Sequence, residues 1–505
     1  MNPFVERHQA EVSGVLSCFD RVVITGTLPE IGYAAAMTQL LASRGIRVFD
    51  YTQWAEPLRE ELRQNAERLA AEAGLEIEFI RRHGDFRKEA RIQDIIAQRG
   101  DHPGLVHVFS AMEPCASYRP WYDKPTHTAS LKSTPGKCLH YYFYFIDPEF
   151  GLCYVRVPTW APFRLQVYFN GHSWLARQLT AAHIAFAQAD NAFLSIADPV
   201  AAQRLAEGLD AAVLHEHLDQ WAQRFCPVLR QFRAGYHWSL MQVEFATDVV
   251  FRRQAQFQPL YAAIVRTAVH VIQAEQVAMF LGHKLTGNFQ DEVGNDLSTR
   301  IQGTRIRHHM GPASIKLYDK AGLIARVECT VNDVTFLKHH RWVEQRDGKS
   351  VFKLAPLRKS IYSLHDLRTL MQAANDRYFA FMACLDNPDA GQQALAKMAA
   401  PVKTKDRSLR GFNLFLEPDY RLFLTLGRGE WSISGFRAAD LRAHLPDLSA
   451  SRASYLLKRL RVHGLIKKIG HCYKYYLTKL GRRVLATALV IREYFVQPTL
   501  VSNAQ

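Results

Sequence analysis

The sequence predicts an α/β multidomain protein: an N-terminal α/β sheet domain over residues 1–115, a mixed β-meander and helical body over 137–385, a linker at 386–411, and a C-terminal group of three helices closed by a hairpin over 412–490. Three observations carry this reading. The chain has 505 residues, more than one core organises at ~100–200 residues per domain. β-Branched runs alternate with helical patterns through residues 1–115. The basic charge is concentrated near the C-terminus: from Lys403 to Arg483 there are 18 Lys and Arg against 6 Asp and Glu, whereas the rest of the chain carries 45 against 42.

Composition narrows the class before any motif is read. Hydrophobic residues are 48% and charged residues 22%, ordinary globular proportions that exclude a disordered, collagen-like or disulfide-scaffold chain. The net charge of +15 points to an anionic partner, and its position favours a dedicated nucleic-acid module on a nearly neutral body over a generally sticky basic protein. A solvated basic face is the plainer alternative. The eight cysteines are scattered, with no CxxC pair and no zinc-knuckle spacing, so reduced thiols in a reducing compartment are expected. No secretory leader pattern and no apolar stretch near ~20 residues is seen, so the expectation is a cytoplasmic protein without a membrane partner.

Taken in order, Arg21–Thr27 (RVVITGT) and Ile46–Asp50 (IRVFD) read as strands with a helix between them. Trp54–Ala73 has apolar residues at helical spacing, Glu76–Ile80 reads as a third strand, Lys88–Gln98 as a helix and Leu105–Met112 as a fourth strand. That alternation predicts an open, mostly parallel sheet, with Asp20, Asp50 and Glu113 near strand ends, where α/β sites gather. Such carboxylates are candidate ligands for Mg or Mn in a metal-dependent nuclease site, although strand-end acids also serve as plain turn residues. Tyr118–Gly136, rich in Pro, Thr and Ser, reads as a long loop or boundary. Lys137–Ile146, Leu152–Val157 and Arg164–Phe169 read as an antiparallel meander followed by a helix from Ser173. Residues 180–280 read as mainly helical, Ser314–Asp319 and Leu323–Val331 as a hairpin, and helices resume near Leu364.

The C-terminal segment has the most specific pattern. Pro418–Leu426 and Gly435–His444 read as helices, and Leu448-Ser449-Ala450-Ser451 supplies capping chemistry for a third, SASRASYLLKRLRVHGL. Leu456, Leu457 and Leu460 form its apolar stripe, so Arg452, Tyr455, Lys458, Arg459 and Arg461 fall on exposed positions, and His463-Gly464 ends it. Leu465–Ile469 and Tyr475–Thr478 then read as strands around Gly470-His471-Cys472-Tyr473-Lys474. This winged helix-turn-helix resembles the DNA-binding domains of MarR-like transcriptional regulators over about 80 residues. The resemblance implies a recognition helix in the DNA major groove and a wing along the phosphates. Its nucleic-acid-binding candidates are Ser449, Ser451, Arg452, Tyr455, Lys458, Arg459, Lys467, Lys468, His471 and Lys474, and Ser449–Arg483 carries ten Lys and Arg and no acid.

The body offers weaker chemistry. Lys316-Leu317-Tyr318-Asp319-Lys320 followed by Arg326-Val327-Glu328 is loosely similar to the strand pair of rolling-circle replication initiators and relaxase-like nickases. That likeness implies Tyr318 as nucleophile, Glu328 as a metal-holding carboxylate and Lys316 or Lys320 as phosphate-stabilising groups. The usual His-hydrophobic-His companion strand is missing, since His308 and His309 are adjacent and would face opposite ways. His140 and His172 read as packed or hydrogen-bonded residues, and Tyr141–Phe145 as core aromatics or a base-stacking surface. P-loop, GxGxxG, GxSxG and HExxH patterns are absent. FDRVVITG, KCLHYYFYF, VYFNGHSWLARQL, GNFQ and IKLYDKAG together resemble a group of uncharacterised bacterial proteins, which implies a mobile-element or genome-defence setting over a metabolic one. The expected function is nucleic-acid binding, DNA first and RNA as an alternative partner; a nickase, transposase or nuclease is the enzymatic alternative.

Overall fold

The structure is a computed structural model and describes residues 2–81, 86–283, 292–300, 303–385, 396–404, 408–413, 415–427, 431, 435–469 and 473–490. It is a mixed α/β protein, and its contacts divide into two compact units: residues 1–262 with 273–381, and residues 263–272 with 382–505.

The first unit is organised on one eleven-stranded sheet. In chain order its strands are β1 (Val12–Thr27), β2 (Ile77–Phe79), β3 (Gly104–Asp123), β4 (Thr128–Asp147), β5 (Gly151–Pro158) and β6 (Leu165–Asn170). A separate small hairpin, β7 (Phe186–Ala189) and β8 (Ala192–Ile196), comes next. The sheet resumes with β9 (His237–Phe251), β10 (Val293–Arg300), β11 (Gly303–Met310), β12 (Ala313–Lys320) and β13 (Ile324–Val331). The spatial order is β10-β11-β12-β13-β9-β1-β6-β5-β4-β3-β2. The helices of this unit include α1 (Pro3–Arg7), α2 (Ala34–Ser43), α3 (Tyr51–Glu72), α4 (Lys88–Arg99), α5 (Gly171–Ala181), α6 (Pro199–Glu207) and α7 (Ala211–Phe225). After α8 (Gln254–Val271), which crosses the division, come α9 (Ala274–Phe280) and α10 (Leu364–Leu385). A further hairpin pairs β14 (Lys338–Glu344) with β15 (Ser350–Pro356).

The expected parallel sheet is overturned: among the described residues only β2 and β3 pair in parallel, and every other ladder of the sheet is antiparallel. The reason lies in the connections. β3–β4, β4–β5 and β12–β13 are joined by a few residues, too few for the crossover that parallel neighbours need. Ile46–Asp50 is not a strand; Val48–Asp50 forms a 3₁₀ turn leading into α3. Tyr118–Gly136 is not a loop or a domain boundary, because β3 and β4 continue through it as a ribbon, with Tyr118 opposite Ser133. Its prolines are tolerated there because this part of the ribbon lies beyond β5 and has an open edge. The helical expectation for 180–280 misses β9, whose Trp, Val, Phe and Thr positions suit a strand buried in mid-sheet. Tyr141–Phe145 are buried core residues, so they offer no open base-stacking surface. Ile92 of α4 covers that face, packing with Phe109, Tyr142, Tyr144 and Tyr154.

The second unit contains α11 (Glu417–Leu426), α12 (Ala438–His444), α13 (Ala450–Val462) and α14 (Lys479–Val490), with a hairpin of β18 (Ile466–Lys468) and β19 (Tyr475–Leu477). Residues 386–395 and 405–407 of the expected linker lie outside the described residues, and its described part includes a two-residue pairing of β16 (Val402–Lys403) with β17 (Ser408–Leu409). One core holds the unit together: Leu422, Phe423, Leu441, Leu457, Leu460, Ile466 and Leu485 are buried against one another. Ser449 caps α13 by accepting from the Arg452 amide at 3.3 Å, and Gly464 adopts φ of 74° just past its end. No helix among the described residues is long and apolar enough to cross a membrane.

Candidate functional site

Three adjacent strands at the centre of the sheet bring three carboxylates together. Glu328 on β13 lies opposite Ala246 of β9, and Thr330 lies opposite Glu244, so both glutamates project from one face. On β1 the register against β9 shifts between Phe19 and Val22, and Asp20 sits in that irregularity. A bulge re-aims side chains, which lets Asp20 join the glutamates. Ligand oxygens of Asp20, Glu244 and Glu328 all lie within 4.8 Å of one another.

β12 supplies the neighbours of the two glutamates. Lys316, in register with Glu328, donates to Glu328 at 2.6 Å and to Glu244 at 3.3 Å. Tyr318 donates its hydroxyl to the other oxygen of Glu328 at 2.5 Å. Thus Glu328 is held from both sides.

Asp20 is held from the opposite direction by the start of α5. Asn170 caps that helix and donates to Asp20 at 2.8 Å, and Asn191 donates to both carboxylate oxygens at 2.9 and 2.8 Å. His172 Nδ1 lies 3.2 Å from the same carboxylate. This approach depends on Gly171, where a Cβ would stand 2.1 Å from the Phe19 carbonyl oxygen. Arg326, fully buried, donates to Asp248 at 2.6 and 2.7 Å and lies 3.1 Å from His172 Nε2. Since arginine only donates, Nε2 accepts, and the Nδ1 proton is left for Asp20.

The electrostatics separate these carboxylates. Burial pushes the Asp20 carboxyl up, but the hydrogen bond from His172, the Arg326 charge and the hydrogen bonds from Asn191 outweigh it and hold Asp20 well below the usual range. Burial and the adjacent Glu328 carboxylate push Glu244 up. Lys316 is opposed by burial, yet Glu328 and Glu244 raise it. Burial, then Glu328, drive the Tyr318 phenol far above its ordinary value.

Asp20, Glu244, Glu328, Lys316 and Tyr318 line a cavity of about 490 Å³ that also reaches Arg21, Arg305 and the rings of Tyr144, Tyr154 and Tyr168. Tyr154 and Tyr168 stack at 5.1 Å with an interplanar angle of 15°, and the Arg21 guanidinium lies 5.3 Å from the Tyr168 ring centre. Carboxylate oxygens are hard donors suited to Mg or Mn, and three at this spacing can share one ion.

The carboxylates singled out from strand ends do not come together. Asp50 pairs with Arg47 at 2.7 Å on the 3₁₀ turn, because its strand does not form. Glu113 accepts from Tyr142 at 2.6 Å and from Arg156 at 2.6 and 2.8 Å, a half-buried structural pair. Lys320 lines the same cavity as Asp20 but is engaged by Asp190 at 2.8 Å and Asn191 at 2.5 Å. A free Tyr318 phenolate is disfavoured, since it would stand buried against the Glu328 carboxylate. Sequence reasoning missed Glu244 and Asp248. Their signal was two acids spaced four apart in VEFATD, which strand alternation places on one face.

The second unit presents a basic helix and hairpin. Ser451, Arg452, Arg461, Lys467 and Lys468 are exposed, while Tyr455, Lys458 and Lys474 are half-buried. Arg459 is a correction: it is fully buried, so it is no exposed contact residue. The helical stripe is wider than Leu456, Leu457 and Leu460, and an internal acid draws Arg459 inward. His471 lies outside the described residues. Comparison with family models, curated proteins and solved structures yields no match to this chain.

Proposed function

We propose that this chain is a nucleic-acid-binding protein, with DNA as the first partner, and that its C-terminal unit acts as a winged helix. The observation that supports it is the run of basic, acid-free positions on α13 and the β18–β19 hairpin, with Arg452, Lys467 and Lys468 exposed. In this reading α13 enters the major groove and the hairpin follows phosphates, as in MarR-like regulators. RNA is the competing partner. Binding of the full chain to labelled duplex DNA and to RNA across a salt series tests the proposal: affinity falls steeply with salt for the true partner. Salt-independent binding, or none, removes it.

The cluster of Asp20, Glu244 and Glu328 favours a second reading, in which the body is a metal-dependent nuclease, nickase or transposase that uses Mg or Mn. Its ion would supply Lewis acidity and lower the pKa of a bound water. Lys316 would balance charge at the glutamates, and Tyr318 would hold Glu328 in place. Metal-dependent strand cleavage that disappears in Glu328→Gln tests this reading.

A further inference from the structure

The cavity around Asp20 combines a charge imbalance with polar groups that have nothing to bind. The trio Asp20, Glu244 and Glu328 has two cations within ion-pair reach, Lys316 at the glutamates and Arg326 near Asp20, while Arg21, Arg305 and Lys320 line the cavity without pairing to the trio among the described residues. Arg326 is committed to Asp248, and its Nη1, 3.6 Å from Asp20, has no hydrogen-bond partner among the described residues. The trio around Asp20 therefore keeps excess negative charge in a poorly solvated site, where a divalent ion would compensate it.

A second, independent observation lies along the same cavity. Tyr144 is only 3% exposed, lines this cavity, and its hydroxyl has no hydrogen-bond partner among the described residues. Arg21 Nε, also at the cavity, is likewise without a partner. Buried polar groups are normally satisfied, so such groups in a cavity mark where a ligand supplies the missing bonds. The stacked Tyr154 and Tyr168 lie with them. Carboxylates, a guanidinium and aromatic hydroxyl groups in one cavity of about 490 Å³ match the parts of a nucleotide: an ion-bound phosphate and a flat polar base or sugar.

We infer that Asp20, Glu244 and Glu328 bind one divalent cation, and that the same cavity takes a single unpaired nucleotide, its phosphate on that ion and Arg21 and its nucleoside toward Tyr144. The nature of this ligand rests on the nuclease reading above. The cation site itself does not. A duplex is excluded as the occupant, because a cavity of this size admits one nucleotide unit and not a base pair with its backbones.

The experiment uses the full-length chain with Mn²⁺ alone, followed by electron paramagnetic resonance, and then with thymidine 5′-monophosphate or a 5′-phosphorylated thymidine tetranucleotide. Mn²⁺ binding is expected, with affinity falling at least about tenfold in Glu244→Gln and Glu328→Gln whose circular dichroism matches the parent. Arg21→Gln and Tyr144→Phe are expected to keep Mn²⁺ and lose nucleotide affinity several-fold. In the unmodified chain, bound Mn²⁺ should broaden the ³¹P resonance of the nucleotide, a readout that needs no variant. Tighter binding of the tetranucleotide than of the monophosphate identifies a strand end as the source; the reverse identifies a free nucleotide. No bound Mn²⁺, undiminished Mn²⁺ affinity in both folded glutamate variants, or an unbroadened ³¹P signal overturns the inference. Mn²⁺-dependent nucleotide binding without strand cleavage upholds it and removes the nuclease reading alone.

Discussion

Arg459 donates through Nη1 and Nη2 to the two oxygens of Asp419, at 2.7 and 2.9 Å, inside the C-terminal unit. It also donates to the carbonyls of Arg410 and Gly411 and lies 3.8 Å from the Phe412 ring centre. One side chain thus ties α13 to α11 and to the segment before it. Arg459→Ala is expected to destabilise this unit by about 3–5 kcal/mol, since it strands a buried carboxylate. The measurement is urea denaturation followed by far-ultraviolet circular dichroism. A variant that stays folded and loses only nucleic-acid affinity would return Arg459 to the contact surface.

The hairpin lysines should behave differently. Lys467→Ala with Lys468→Ala is expected to leave the fold unchanged and weaken binding to every duplex, lowering the salt slope by about 2. Arg452, exposed in the first turn of α13, is expected to read bases. Arg452→Ala should narrow the gap between a preferred and a random duplex by ~1–3 kcal/mol, measured by competition binding. Equal losses on both duplexes would make it a phosphate contact.

Tyr318→Phe separates two roles for that hydroxyl. Held on Glu328 at 2.5 Å, with its phenol driven up first by burial, it is expected to position the carboxylate and not to attack phosphorus. Under the nuclease reading, the variant should retain metal-dependent cleavage at a rate reduced by about tenfold or less. No protein–DNA adduct should form in the parent chain. A covalent adduct that vanishes in Tyr318→Phe would establish the nucleophile instead.

Glu113 gives a pH signature unconnected to the carboxylate trio. Burial pushes its carboxyl up, but hydrogen bonds from Tyr142 and Arg156 prevail and hold it below its ordinary value. The folded state therefore binds this proton more weakly than the unfolded chain. The resulting stability is complete above the unfolded carboxyl range near ~4.3 and is lost as pH falls through the lower folded value. Glu113→Gln should cost ~1–2 kcal/mol at neutral pH, with the difference from the parent shrinking in acid, as read from denaturation midpoints across pH.

Local patterns were legible where local chemistry decides. Ser449 and Gly464 marked the ends of α13 through capping and left-handed φ, and the β12–β13 hairpin followed from apolar runs flanking Lys320-Ala-Gly. Asp20 was visible as an acid at the end of a β-branched run, but its partners were not. Glu244 and Glu328 reach it only through strand order, and no short-range signal tells β1 to lie between β6 and β9. Asp50 and Glu113 were misplaced for the same reason: a mostly parallel sheet would have gathered strand ends, whereas the antiparallel sheet gathers strand middles. Arg459 escaped because a buried cation is decided by its partner Asp419, 40 positions away.

The position of β1 also governs how the molecule is assembled. Its two neighbours lie far along the chain: Asp20 meets Asn170 at a separation of 150 residues, and Ser17 meets Thr247 at a separation of 230. Pairings so distant carry a high loop-closure cost and slow the search for the native state. During synthesis β1 emerges early, and one of its edges stays bare until β9 has been made, an interval in which an apolar strand invites misplaced partners. A polypeptide halted before β13 would contain the first carboxylate of the trio and lack the last.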